Sequence, residues 1–248
     1  MPKPVLLIRA DNNESDESAL SELGIPAIVD PYLEIEVAND PSDGLRLLQL
    51  LEVSDSPLWL IATSVNALKF WASIVGRDRL RTAIQGRKHL EFAAVGKTTA
   101  NALRELGARE VLIPQESTAK SLAENLIAAH PASHALIPGG NLAMRSLPAT
   151  LIAAGWKVST AVVYTTSRVG TEPTSAQLVR ENQVSAILFR SPSAVRALTH
   201  FVHLPQVPLV CAGVTTAQAL ELQGLPVAAI SPSPSSEVVA STIYSLLS

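Results

Sequence analysis

The sequence is short of several residue types, and each shortage excludes a class of protein. One cysteine among 248 residues, Cys211, cannot form a disulfide within the chain, as is typical of proteins from reducing compartments. Aromatic residues make up 4% of the chain and its net charge is −3, which argues against nucleic-acid binding through stacking and basic patches. No apolar run approaches the roughly 20 residues that a membrane-spanning helix needs. We therefore expect a cytoplasmic globular protein that contacts neither nucleic acid nor membranes.

The chain also lacks the usual signatures of metal and nucleotide sites. Its five histidines do not show the spacing of metal ligands. The triplet Gly96-Lys97-Thr98 resembles the end of a phosphate-binding P-loop, but Glu91 stands where that motif needs its first glycine. No Gly-x-Gly-x-x-Gly follows a predicted strand, so the dinucleotide fingerprint is missing as well. The sequence therefore predicts neither a metal nor a nucleotide cofactor.

Short apolar runs rich in β-branched residues alternate with longer amphipathic stretches, which indicates strands and helices in turn. The predicted strands are Val5–Arg9, Leu58–Thr63, Leu90–Val95, Val111–Pro114, Ala135–Pro138, Val184–Phe189, Val207–Cys211 and Val227–Ile230. The helical patterns include Thr98–Leu106, Ala119–Ala129, Leu142–Ala154, Ala194–Val202 and Thr216–Gln223. Near-continuous apolar strands are typical of parallel sheets covered on both faces, so the predicted class is α/β.

The chain contains an internal repeat. The run Ala94–Leu103, which begins Ala-Val-Gly-Lys-Thr-Thr-Ala, matches the run Cys211–Leu220, which begins Cys-Ala-Gly-Val-Thr-Thr-Ala. The offset of 117 residues, from 96 to 213, also relates the glycines at 107 and 224. Upstream, Thr63-Ser64 of one copy matches Arg190-Ser191 of the other. We therefore predict two similar, doubly wound domains of the flavodoxin or Rossmann type, each with a parallel sheet.

The two domains are expected to be interleaved along the chain. The opening strand Val5–Arg9 and its helix are repeated by Ala135–Pro138 and the helix that leads to Gly155. If each domain needs one such unit, the first domain comprises residues 1–36 and 166–248, and the second comprises residues 37–165. Extended segments near residues 32–38 and 158–166 would form a two-stranded connection beside an interdomain cleft.

Hydroxyl-bearing residues stand at the predicted helix starts. A single Ser or Thr there most often caps its helix by accepting a hydrogen bond from a backbone N–H. As a group, however, helix N-termini at the carboxyl ends of parallel strands would form a neutral cage for carboxylates. Both interpretations stay open for these positions, which are Ser64, Thr98, Thr99, Ser117, Thr118, Ser191, Ser193, Thr215, Thr216, Ser235 and Ser236. Tyr164, at the end of an apolar run, is either a packed strand residue or a phenol that donates a proton to a leaving hydroxyl.

A series of short motifs in a fixed order gives the chain a family resemblance. They are Arg9 after the opening strand, Pro31-Tyr32-Leu33-Glu34-Ile35, Thr63-Ser64-x-Asn66-Ala67, Ala94-Val95-Gly96-x-x-Thr99-Ala100, Pro138-Gly139-Gly140 with Arg145, Val163-Tyr164-x-Thr166, Phe189-x-Ser191-Pro192-Ser193 and Ala212-Gly213-x-Thr215-Thr216-Ala217. In these motifs, across the whole chain, the sequence resembles uroporphyrinogen-III synthases.

The resemblance implies an enzyme with two α/β domains and no metal or organic cofactor, acting mainly as a monomer. Its substrate would be hydroxymethylbilane, a linear polycarboxylate tetrapyrrole, which loses water, inverts its last ring and closes to uroporphyrinogen III for haem biosynthesis. Transient contact with the preceding pathway enzyme is left open. Tyr164 corresponds to the family's candidate for assisting loss of the hydroxyl. The substrate-binding candidates are Arg9, Ser64, Asn66, Lys97, Thr98, Thr99, Gly139, Arg145, Ser191, Ser193, Thr215 and Thr216.

One departure from the family pattern concerns the two Gly-x-Thr-Thr turns. Many members have proline after the glycine, where this chain has Lys97 and Val214, and Lys97 could add a carboxylate contact. Two alternatives come from other classes of protein: a two-domain module that binds a small anion without turnover, and a regulatory protein that kept the scaffold but lost activity. The isomer of the porphyrin made from hydroxymethylbilane would separate all three.

Overall fold

The computed structural model of the protein describes residues 2–54, 56–143, 145–203 and 205–248. It divides into two compact units. Unit 1 comprises Met1–Ile35 and Ser167–Ser248, and unit 2 comprises Glu36–Thr166. The division expected from the sequence was at 36/37 and 165/166. The chain therefore starts unit 1, builds the whole of unit 2, and then returns to unit 1.

Strands and helices alternate along most of the chain. In chain order the strands are β1 (Val5–Leu7), β2 (Ala27–Val29), β3 (Leu33–Val37), β4 (Leu58–Ala62), β5 (Leu90–Ala94), β6 (His134–Gly140), β7 (Lys157–Arg168), β8 (Ala186–Phe189), β9 (Leu209–Cys211) and β10 (Ala229–Ile230). The helices are α1 (Glu14–Glu22), α2 (Ser42–Val53), α3 (Val65–Val75), α4 (Arg77–Gln85), α5 (Lys97–Glu105), α6 (Ala119–Ala129), α7 (Ser146–Ala153), α8 (Ser175–Arg180), α9 (Pro192–Phe201), α10 (Val214–Glu221) and α11 (Ser236–Leu247).

The sheet of unit 1 has the strand order β10-β9-β8-β1-β2, and every neighbouring pair is parallel. Its interior strand β1, between β8 and β2, is entirely buried, and successive side chains point to opposite faces. Leu6 packs on one face with Phe189 and Leu198, whereas Val5 and Leu7 pack on the other face with residues of α1 and α11. Burial on both faces explains why this strand is uniformly apolar.

The sheet of unit 2 has the strand order β3-β7-β6-β4-β5, in which β7, β6, β4 and β5 run parallel. At its edge, the Ala38 N–H donates to the Val163 carbonyl over 3.1 Å. Trp71 lies in the core on one face, and Trp59 and Trp156 lie in the core on the other. All three tryptophans of the chain therefore belong to unit 2.

The two sheets have the same strand order when they are matched through the repeat. The order β2-β1-β8-β9-β10 of unit 1 corresponds to β7-β6-β4-β5 of unit 2, followed by an isolated bridge between Ala93 and Leu112. This is the 2-1-3-4-5 order of flavodoxin-like sheets, which the chain enters at a different strand in each unit. The prediction of an α/β chain with two similar, doubly wound parallel sheets is confirmed.

Two predicted elements differ from the structure. Val111–Pro114 is not a regular strand, because pairing is limited to Leu112, which bonds to Phe92 and Ala94, and because Pro114 has no N–H to extend it. The helix predicted over Leu142–Ala154 begins at Ser146. The chain first makes a turn, in which the Ala143 N–H donates to the Gly140 carbonyl over 3.0 Å.

Candidate functional site

The candidate site of unit 2 is the carboxyl edge of its sheet, where open parallel sheets bind their ligands. Because β4, β5 and β6 are parallel, the segments that follow them emerge at this same edge. These segments are Ser64–Asn66 after β4, Gly96–Thr99 after β5 and Asn141–Ala143 after β6. Tyr164 pairs with Gly140, the last residue of β6, and so belongs to the same edge.

Tyr164 is packed closely against two neighbours. Its ring centroid lies 5.6 Å from that of Phe70, and the two ring planes are tilted by 30°. A Cβ atom on Gly140 would lie 2.5 Å from both Cε2 and Cζ of Tyr164, a distance that real Cβ atoms do not show. The tyrosine ring therefore occupies space that exists because residue 140 has no side chain. The residue is half-buried, so packing fixes it without enclosing it fully.

Two serines of the candidate set cap helices, in agreement with the structural interpretation of the hydroxyls. The Ala67 N–H donates to Ser64 Oγ over 3.1 Å at the start of α3, and the Ala194 N–H donates to Ser191 Oγ over 3.4 Å at the start of α9. Ser193 contributes through a 2.9 Å contact between its hydroxyl and that of Ser191. These hydroxyls therefore have structural partners already, whatever else they bind.

The two threonine pairs are not caps. Helices α5 and α10 begin directly after Gly96 and Gly213, and glycine has no side chain that could accept a hydrogen bond. Within the first helical turn, Thr99 and Thr216 are buried, whereas Thr98 and Thr215 are exposed. The capping interpretation was wrong for these four residues. Both helices instead begin with backbone N–H groups that no side chain of the cap residue satisfies, which suits an anionic ligand.

The remaining candidates of unit 2 differ in what they present. Asn66 is half-buried in the first turn of α3, Lys97 is exposed at the first position of α5, and Arg145 is exposed just before α7. Gly139 is buried inside β6 and offers backbone atoms alone. Two of these four candidates, Lys97 and Arg145, bring positive charge to segments that follow the strands of this sheet.

The carboxyl edge of the sheet of unit 1 contains two arginines. Arg9 follows β1, and Arg190 follows the neighbouring strand β8. Burial and then the positive charge of Arg190 lower the pKa of Arg9 from its ordinary value. The Arg9 guanidinium donates to the Asn12 carbonyl over 3.3 Å. The nearby carboxylates of Asp16, Asp11 and Glu14 act in the opposite direction on the pKa of Arg9, so part of the positive charge at this edge is already balanced.

Arg190 is held by a network that the sequence did not predict. It forms an ion pair with both carboxylate oxygens of Asp16 and donates to the Pro234 carbonyl. Ser236 joins the network by donating to Asp16 over 2.6 Å, so that the segments before α9 and α11 are tied to α1. Asp16 is buried in the first turn of α1, where Glu14 and Glu17 are acidic as well, so the sequence does not distinguish it from an ordinary acidic residue at a helix start.

Two cavities of unit 2 lie away from this edge. One of about 680 Å³ opens beside Arg87, Lys88 and Arg109, before β5 begins. A second of about 500 Å³ adjoins it at Arg87 and extends to Glu52. Because parallel strands share one direction, the start of β5 is the end of the sheet opposite to Gly96. Neither cavity is part of the candidate site.

Neither the cysteine nor the residue types that bind metals indicate a second functional site in the part of the chain that the structure describes. Cys211 is fully buried in β9, and burial raises the pKa of its thiol to about 12, which is typical of a structural cysteine rather than a nucleophile. Within residues 2–54, 56–143, 145–203 and 205–248, no three His, Cys, Asp or Glu side chains are grouped so that they could hold a metal ion. The helices of these same ranges include none that is long and apolar enough to cross a bilayer.

Comparison with known proteins identifies the family. A family model described as uroporphyrinogen-III synthase HemD matches residues 14–240, which includes most of both units. The chain belongs to the uroporphyrinogen-III synthase family. The family predicted from the sequence motifs is thus confirmed, and membership implies an enzyme of tetrapyrrole biosynthesis that acts on a small molecule.

Solved structures of uroporphyrinogen-III synthases have the same fold. The synthetase from Helicobacter pylori superimposes with a TM-score of 0.65 at 19% identity, over 98% of this chain and 99% of that chain. A mutant synthase from the extremely thermophilic bacterium Thermus thermophilus gives a TM-score of 0.64 at 17% identity, over 99% of this chain and 98% of that chain. At such identities the likeness concerns the fold, and it agrees with the two matched parallel sheets.

Proposed function

We propose that the chain converts hydroxymethylbilane into uroporphyrinogen III as a cyclising hydro-lyase. The linear tetrapyrrole loses its terminal hydroxyl as water, its last ring inverts through a spiro intermediate, and the macrocycle closes. The observation that carries this proposal is the family match over residues 14–240. The reaction transfers no electrons and needs no group carrier, so the proposal includes no cofactor.

In this proposal Tyr164 is the acid that assists loss of the hydroxyl. Its phenol donates a proton as the carbon–oxygen bond breaks, so that water leaves and a cationic pyrrole remains. When the macrocycle closes, the attacked pyrrole releases a proton, and the phenolate takes this proton back. The close packing against Gly140 and Phe70 supports this role, because a fixed acid loses little of its efficiency to misorientation.

The substrate carboxylates are bound, in the same proposal, by cationic side chains and by amide groups at helix starts. Each unit offers such groups at its own carboxyl edge: Lys97 with the start of α5 in unit 2, and Arg9 with the start of α10 in unit 1. Fixed N–H dipoles and charges of this kind orient a polyanion without themselves reacting. Orientation matters here because the bilane, left to itself, closes without inverting its last ring.

Replacing Tyr164 with Phe tests the function. We expect kcat to fall about 10–100-fold, the range in which general acids contribute, with a smaller change in KM. The assay follows the formation of isomer III against isomer I from hydroxymethylbilane. Tyr244→Phe on α11 is the control, since that tyrosine is half-exposed and distant in sequence from every candidate residue.

The possible results separate two levels of the proposal. If the wild type yields isomer I alone, at the rate seen without protein, the proposed reaction is wrong. If Tyr164→Phe keeps full activity at saturating substrate, the reaction stands but Tyr164 is a packing residue. The proposal also includes a cytoplasmic location. It includes a transient contact with the enzyme that supplies hydroxymethylbilane, because a substrate that closes by itself benefits from rapid transfer.

A further inference from the structure

Tyr164 lies at an irregularity in the pairing of β6 with β7. Gly139 pairs with Val162, but the next residue, Gly140, pairs with Tyr164, so that Val163 is one extra residue in β7. An extra residue of this kind interrupts the alternation of side chains between the two faces of a sheet. Val163 and Tyr164, although consecutive, accordingly pack against the same hydrophobic core. The bulge therefore determines on which face of the sheet the side chain of Tyr164 lies.

Asn141 holds the chain on the far side of this bulge. Its backbone N–H donates to the Tyr164 carbonyl over 3.1 Å. Its side-chain amide makes two contacts with the backbone of Thr166: Oδ1 accepts from the Thr166 N–H over 2.8 Å, and Nδ2 donates to the Thr166 carbonyl over 3.3 Å. Asn141, the first residue after β6, thus bonds to β7 at both Tyr164 and Thr166. Its side-chain amide pairs with the Thr166 backbone as a peptide group of a neighbouring strand would.

Gly140 contributes the space into which the tyrosine ring fits. The position of a Cβ atom at residue 140 would be 2.5 Å from Cε2 and Cζ of Tyr164 and 3.0 Å from its Oη. Even the smallest side chain would therefore displace the ring or the strand. Asn141 sets the backbone of Tyr164, and Gly140 sets the position of its ring.

We propose that Asn141 and Gly140 are positioning residues for Tyr164, which fix the phenol for its reaction with the substrate. This inference rests on the proposed function, in which Tyr164 donates a proton to the leaving hydroxyl. Neither residue has to touch the substrate, because each acts through the tyrosine. A displacement of the acid by about 1 Å is enough to lower turnover by one to two orders of magnitude.

Asn141→Asp is the sharpest single test. Aspartate has nearly the same shape, and one of its oxygens still accepts from the Thr166 N–H, but the other replaces a donor and faces the Thr166 carbonyl. We expect kcat to fall about tenfold because the acid is displaced, and KM to rise as well because the new carboxylate lies at the edge proposed to bind the substrate carboxylates. Asn125→Asp, at an exposed position of α6, makes the same chemical change away from the site and should leave both constants unchanged.

A spectroscopic measurement tests the positioning without reference to activity. The chain has three tyrosines, so protein labelled with 3-fluorotyrosine gives a simple fluorine NMR spectrum in which Tyr164→Phe identifies the signal of Tyr164. Asn141→Asp and Gly140→Ala should each shift or broaden that signal and leave those of Tyr32 and Tyr244 in place. Gly170→Ala is the control for the glycine, because nothing lies within 4 Å of a Cβ atom at residue 170.

Combining the changes distinguishes failure of this inference from failure of the proposed function. In a Tyr164→Phe background, Asn141→Asp should cause no further loss of kcat, because the residue through which it acts is gone. An undisturbed Tyr164 signal in both variants would overturn the positioning role, whatever the activities are. A displaced signal with wild-type kcat would also overturn it. Full activity of Tyr164→Phe alone would instead remove the catalytic role on which the inference rests.

Discussion

Removing the carboxylate of Asp16 tests the buried ion pair of unit 1. The side chains of Asp16 and Arg190 are 2% and 12% exposed, and the guanidinium donates to both carboxylate oxygens. In Asp16→Ala, the guanidinium would retain the Pro234 carbonyl and the Ser236 hydroxyl as neutral partners. Breaking a buried pair by removing one partner costs about 3–5 kcal/mol, and we expect the free energy of unfolding of unit 1 to fall by that amount.

The chain provides a separate probe for each unit. Cys211, the single thiol, is fully buried in unit 1, whereas the three tryptophans lie in unit 2. In Asp16→Ala, the urea midpoint of unfolding measured by labelling of the thiol should fall by roughly 2 M, if the free energy of unfolding falls by about 2 kcal/mol per molar urea. The urea midpoint measured by tryptophan fluorescence should fall less, because the substitution removes no contact of unit 2.

A second substitution and a control make the test strict. Arg190→Thr introduces the residue that occupies the matching position, 63, of the other copy, and the double variant contains no buried guanidinium without a partner. It should therefore be more stable than Asp16→Ala alone. Glu172→Ala removes an exposed ion pair with Arg180 in the same unit and should change little. A loss below about 1 kcal/mol for Asp16→Ala, or a double variant less stable than Asp16→Ala, would refute the reasoning.

Two further predictions concern pH and backbone strain. Burial and the charge of Lys157 lower the pKa of His134, so the folded state resists protonation, and the protein should lose stability as the pH falls through the ordinary histidine value of 6.5. His134→Gln should lose less stability between pH 8 and pH 5 in urea unfolding, and equal losses would contradict this. Gly107→Ala should lower Tm more than Gly224→Ala, because φ is 70° at residue 224, close to the left-handed region that L residues tolerate, but 106° at residue 107, well beyond it.

The fold could be predicted because burial leaves its pattern in the sequence. Strands covered on both faces, such as Leu58–Ala62, are uniformly apolar, and the repeated Gly-x-Thr-Thr run marks equivalent helix starts. Element ends were harder to predict, since they depend on single hydrogen bonds. Pro114 prevents a strand because it has no N–H, and the turn at Gly140 delays α7, although both segments are apolar enough to suggest regular structure.

The site could be predicted only in part, because its supporting contacts join residues far apart in the chain. Tyr164 and Gly140 stand in recognisable motifs, and their proximity follows from the pairing of β6 with β7. Asn141 bonds to a residue 25 positions away, and Asp16 pairs with one 174 positions away. No local pattern distinguishes such residues from ordinary polar ones at a turn or on a helix. Their roles become visible once the strand register is known.

The two copies of the repeat show which of their residues packing constrains. Both copies keep glycine before the helix, a buried threonine in its first turn and a buried alanine after it, at 99 and 216 and at 100 and 217. They differ at the exposed position between, where unit 2 has Lys97 and unit 1 has Val214, which is 62% exposed. Packing constrains the shared residues, and exposure leaves the other position free to change.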